Sequence, residues 1–183
     1  MINFIRKSSI FSTIGCLFLL SNSSEVSASN DICLIDDYQK SVLYFSYSRG
    51  LPHDYGKTLS AIAWVESRAG RLNINVDDPS AGFYHVTLDK VIKLRGWDDN
   101  SFNRNRAAQA LIDDPELSSS LAIRELDFWK RIRGDNNWKQ IWASYNAGYA
   151  GLKSVGGRLY VERITKAIDH IDNCGWLEHV RNS

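Results

Sequence analysis

Beyond about residue 30, apolar positions recur every three or four residues almost to the end of the chain, the spacing of one helical face. A first helix is expected from Asp36 to about Tyr47, closed by Gly50 and Pro52. Tyr55, Leu59, Ile62 and Ala63 share the next stripe, with Gly70 as its stop. Leu88, Val91 and Ile92 open a helix that ends at Gly96. Asn103 to Ile112 reads as a shorter one, with Ala107, Ala108 and Leu111 inward. Asp114-Pro115 is an N-cap followed by proline in the first turn, where a missing N–H costs nothing. The helix it starts carries Leu117, Leu121, Phe128 and Ile132 and stops at Gly134. Trp138, Ile141, Trp142 and Tyr145 repeat at i, i+3, i+4, i+7 before Gly148, and the last helix carries Tyr160, Ile164, Ala167, Ile168 and Ile171. Only residues 72–86 break the period, with Asp77-Asp78-Pro79-Ser80-Ala81-Gly82 as a turn-rich core. The pattern implies a single compact all-α domain with one irregular loop or short extended segment around residues 72–86.

The first 28 residues follow another rule. Arg6 and Lys7 precede an apolar run from Ile10 to Leu20, and Val26-Ser27-Ala28 supplies the small residues a signal peptidase reads. The run is shorter than the ~20 residues a membrane-spanning helix needs. The expectation is a secretory signal peptide over 1–28, cleaved near Ala28, and a domain over 29–183. The product is then exported, periplasmic or secreted, with no stable membrane insertion after cleavage. An uncleaved anchor and a lipid-attached Cys16 are the alternatives.

Cleavage changes the chemistry of the rest. The full chain has 183 residues, 44% hydrophobic and 23% charged, with 22 Lys+Arg and 21 Asp+Glu. Losing Arg6, Lys7 and Glu25 leaves 20 of each sign, so the mature chain has no basic field for nucleic acid. Of three cysteines, Cys16 goes with the leader; Cys33 and Cys174 remain, and an even pair in an oxidising compartment reads as a disulfide. A metal site of Cys174 with His170 and His179 is the competing use, but the spacing matches no zinc pattern. No phosphate loop, nucleophile elbow or dinucleotide fingerprint is present, so no cofactor is implied.

Glu66 is the residue that breaks the helical pattern. It lies seven after Leu59, four after Ile62 and three after Ala63, on their apolar stripe, and Ala61, Trp64 and Val65 make the helix apolar nearly all round. A carboxylate there is partly desolvated, which favours its protonated form. A carboxylic acid that holds its proton is what protonation of a poor leaving group requires. An ion pair with Arg68 or Arg71 is the structural alternative, since such pairs also place carboxylates at core edges.

The order of short segments adds a resemblance. Ala63-Trp64-Val65-Glu66-Ser67, then a glycine-containing loop, then Ala143-Ser144-Tyr145-Asn146-Ala147-Gly148, then Leu159-Tyr160-Val161, resembles the SLT-type lytic transglycosylases, relatives of goose-type lysozymes. The likeness covers roughly residues 50 to 171. It implies the lysozyme-like α+β superfamily fold. It also implies Glu66 as the catalytic acid, with Ser67, His85, Tyr145, Asn146 and Tyr160 binding substrate around it. Each has a plainer use: Tyr145 and Tyr160 as core, Asn146 as a helix cap, Ser67 bonded to its own backbone. The loop departs from the family: Gly82-Phe83-Tyr84-His85 stands where Gly-Leu-Met-Gln is usual.

What the resemblance implies is cleavage of the β-1,4 bond between N-acetylmuramic acid and N-acetylglucosamine, with a 1,6-anhydro ring formed on the muramoyl product. Peptidoglycan glycan strands are then the substrate, and a type IV secretion, conjugation or pilus machine the setting. A water-using lysozyme-type hydrolase needs a second carboxylate, for which Asp77 and Asp78 are candidates. A non-catalytic wall-binding protein that keeps the cleft, and an unrelated exported helical effector, are the readings from other classes.

Overall fold

Helix starts and stops follow local chemistry closely. In the computed structural model, which describes residues 32–175, helix α1 (Asp37–Gly50) begins at an Asp36 capping box closed by Gln39. Its end runs into a one-turn 3₁₀ helix, Leu51–His53. Helix α2 (Gly56–Ser67) follows, and it stops before Gly70, because Arg68 and Ala69 already take left-handed φ of 52° and 51°. Strands β1 (Ile74–Asn75), β2 (Ser80–Ala81) and β3 (Val86–Thr87) form an antiparallel sheet in that order, pairing Ile74 with Ala81 and Ala81 with Val86. These two-residue strands are the extended piece expected between 72 and 86.

Five α-helices complete the described chain. The first four are α3 (Leu88–Arg95), closed by Gly96, α4 (Ser101–Asp113), α5 (Pro115–Arg133), and α6 (Trp138–Ala147). The last, α7 (Val155–Asn173), starts at a Ser154 cap. Asp114 caps α5 through the Leu117 N–H, with Pro115 in the first turn as its sequence predicts. A kinked 3₁₀ segment, Gly148–Lys153, joins α6 to α7. The chain is therefore mostly helical with one small sheet.

Helix α2 sits at the centre, packed against α1 and α7, while α6 packs on α5 and α7. Leu59, Ala61, Ile62 and Ala63 have no exposed surface, and Trp64 is also buried, so α2 is covered on nearly all sides. Burial of a side chain such as Leu59 or Ile62 contributes roughly 1.5–3 kcal/mol each. One stripe is corrected. On α5 the buried face runs through Leu121, Ala122, Leu126 and Trp129, Phe128 is only half-buried, and Ile132 is exposed. Trp129 takes the inward place at the end of the helix, one turn before Ile132.

Cys33 and Cys174 form a disulfide across 141 residues, with Cα atoms 5.3 Å apart, joining the 3₁₀ turn Ile32–Leu34 to the end of α7. That commits Cys174 to sulfur. Among the described residues no group of three or more His, Cys, Asp and Glu is placed to hold a metal ion. No described helix is long and apolar enough to cross a membrane. The expected signal peptide over 1–28, its expected cleavage point near Ala28, Cys16 and His179 lie outside the described residues.

Candidate functional site

The last turn of α2 delivers Glu66 to the edge of the core. Its side chain is 16% exposed. Neither arginine considered as its partner takes that role: Arg68 lies over the Trp64 ring at 5.1 Å, and Arg71 pairs with Asp36. The partner is His85, whose Nδ1 lies 3.3 Å from Glu66 Oε2. Glu66 opens onto a polar pocket of about 220 Å³, whose walls include Asn75, Asp78, His85, Lys90, Glu125, Tyr145 and Asn146. That is below the ~300–1,000 Å³ of a drug-sized ligand site.

The hairpin between β2 and β3 sets the position of His85. Gly82 has φ +78°, and a Cβ there would come within 2.6 Å of the Leu111 carbonyl and the Ser118 hydroxyl. Phe83 packs edge-on to Phe45, and Tyr84 is fully buried with its hydroxyl 2.9 Å from that of Ser46. With these two side chains anchored in the core, His85 turns the other way, at a left-handed φ of 44°. Its Nε2 lies 2.7 Å from the Leu72 carbonyl oxygen. A carbonyl only accepts, so Nε2 carries the hydrogen and Nδ1 is left for Glu66. Burial alone would lower the imidazole pKa; the Glu66 carboxylate and the Leu72 carbonyl outweigh it and hold His85 above its usual value.

Two tyrosines back the carboxylate. The Tyr145 and Tyr160 rings stack with centroids 6.3 Å apart and 15° between planes. Tyr145 donates its hydroxyl to the Tyr84 carbonyl at 3.1 Å, so it holds the hairpin as well as lining the pocket. The Tyr160 hydroxyl is buried and lacks a well-formed hydrogen bond, although it lies close enough to Glu66 to feel its charge. Burial first, and the Glu66 charge second, raise both phenols well above their ordinary pKa.

Asn146 is exposed and faces the pocket; the end of α6 is closed by Gly148, whose N–H returns to the Ser144 carbonyl. Ser67 is a correction. It is fully buried, with its hydroxyl 2.8 Å from the Phe83 carbonyl and 3.0 Å from the Ala63 carbonyl, and it accepts the Gly70 N–H. Its place is behind the site, tying the end of α2 to the hairpin, and not on the pocket wall. Comparison with protein-family models, curated proteins and solved structures returned no match for this chain.

Of the loop carboxylates, Asp78 reaches the pocket wall. The Asp77 and Asp78 backbone N–H groups both turn onto Asn75 Oδ1. Glu125 and Lys90 were not foreseen. Glu125 Oε2 lies 2.9 Å from Lys90 Nζ, and Glu125 Oε1 accepts the Trp129 indole N–H at 2.6 Å. A signal existed: Glu125 falls four residues after Leu121 and four before Trp129, on the inward face of α5, the same pattern break that marks Glu66.

Proposed function

We propose that the protein is an exported peptidoglycan lytic transglycosylase with a lysozyme-like fold. One observation carries the reading. Glu66, His85 of the 82–85 hairpin and Tyr145-Asn146 line one polar pocket, and the Tyr160 ring stacks on that of Tyr145, so four segments spread over 95 positions meet around the partly buried Glu66 carboxyl. They are the segments, in the same order, that carry the resemblance.

In this mechanism Glu66 protonates the glycosidic oxygen as the C1–O bond breaks. The pocket dipoles and the substrate's own N-acetyl group steady the oxocarbenium-like centre. Glu66, now ionised, takes the proton of the muramoyl C6 hydroxyl as its oxygen closes on C1. One carboxyl is acid and then base, so no second carboxylate is required. Asn146 and Asp78 are placed to hold sugar hydroxyl and amide groups. A mature chain with no net charge binds wall glycan through the shape and hydrogen bonds of this pocket. Local wall opening for a secretion, conjugation or pilus machine is the setting the resemblance implies.

Asp78 on the same wall motivates a second reading, hydrolysis with Asp78 as the second carboxylate. The test is clearance of purified sacculi. Glu66→Gln keeps the shape and removes the proton, and should cost about 10²–10⁴-fold. Asp78→Asn should cost far less under the lytic reading and as much as Glu66→Gln under the hydrolytic one. Wild-type clearance by the Glu66→Gln variant would reject both.

A further inference from the structure

We propose that His85 is the proton partner of Glu66: the two side chains hold one proton between them, and His85 returns it to the carboxyl when the site needs an acid. This deepens the lytic reading and rests on it for the chemistry, though not for the proton sharing itself.

The geometry leaves little freedom. Nε2 is committed as a donor to the Leu72 carbonyl, so only Nδ1 can exchange a proton, and Nδ1 faces Glu66 Oε2 at 3.3 Å. The His85 side chain is 10% exposed. Its left-handed backbone, between the anchored Tyr84 and strand β3, keeps the ring there. Other charges around the pair are Asp78 from the β1–β2 loop, Lys90 from α3 paired with Glu125 from α5, and the phenols Tyr145 of α6 and Tyr160 of α7, with Arg163 beyond Tyr160. Asp78 and Glu66 favour the imidazolium, while Lys90 is neutralised by its own partner.

With one proton on the pair, it sits on Nδ1 beside an ionised Glu66, or on Glu66 beside a neutral imidazole. In the first form it passes from Nδ1 to the carboxylate, and a turn of the carboxyl presents it to the glycosidic oxygen. That oxygen keeps the electron pair of the broken C1–O bond. O6 bonds to C1 and gives its proton to Glu66, so the pair ends with the one proton it began with. A glutamine at position 85, as the resembled family carries, can donate an N–H to Glu66 but cannot release it.

The sign follows. The pair keeps its proton up to the raised imidazole value and loses it above, so the alkaline limb of kcat/KM lies above the ordinary imidazole value of ~6.5. In His85→Gln only a carboxyl holds the proton, and the limb should move down by about one pH unit or more. His85→Asn, which tolerates left-handed φ better, should move it the same way. A lower rate with an unmoved limb in both variants would overturn the proposal and leave His85 a structural residue.

The second arm needs no activity. The His85 imidazole resonance, assigned by its loss in His85→Gln, should titrate above the ordinary imidazole range in wild type and at a lower pH in Glu66→Gln. An unchanged titration would overturn the sharing. A Glu66-dependent titration in a protein that releases no glycan fragments would support the shared proton and reject the lytic reading.

Discussion

At the scale of single residues, the Tyr160 hydroxyl carries the clearest cost. It is buried, lacks a well-formed hydrogen bond and lies beside Glu66. A buried donor left unsatisfied costs about 1–3 kcal/mol, so Tyr160→Phe should raise the urea midpoint, by about 1 kcal/mol in stability. Under the lytic reading the same change should slow glycan cleavage by about tenfold, because the hydroxyl is a neutral donor beside the Glu66 carboxyl. A variant that is both more stable and equally active would mean the hydroxyl serves packing alone. Opposite effects on stability and turnover are the signature of a group kept for chemistry.

At the scale of elements, the 82–85 hairpin is the part that shapes the site. Gly82 has no room for a side chain and has a φ that disfavours one. Gly82→Ala should destabilise by about 2 kcal/mol or more in a chemical denaturation curve. It should also disturb the His85 titration, since the hairpin aims that ring. The helices around it were largely legible in the sequence because their signals are local. The Asp114-Pro115 start, the Gly96 stop and the apolar stripe of α2 all act within a few residues. The site was legible where a polar residue interrupts such a stripe, as Glu66 does. It was not legible where the partner is distant. The Ser67 hydroxyl reads as a pocket residue until the Phe83 carbonyl, sixteen positions on, is seen to occupy it. The sequence offers the following arginines as partners of Glu66, yet its partner comes from the hairpin, because Arg68 and Arg71 turn to Trp64 and Asp36.

At the scale of the whole molecule, the Cys33–Cys174 bridge closes nearly the entire described chain. The chain-entropy account values a loop of that length at on the order of 5 kcal/mol, and native losses of about 2–5 kcal/mol are usual. Replacing both cysteines with serine should lower thermal stability by that amount, with cleavage retained below the new melting temperature, since the bridge joins the far end of α7 and not the pocket. The bridge also ties the two ends of the fold around α2, the helix that presents Glu66. The central claim is that this one carboxyl gives a proton to the glycosidic oxygen and then takes another from the C6 hydroxyl as the ring closes. Mass spectrometry of the fragments released from purified sacculi by wild type and by Glu66→Gln tests it most directly. The account predicts 1,6-anhydro-muramoyl ends from wild type and almost none from the variant; reducing muramic acid ends, or equal release by both, would contradict it.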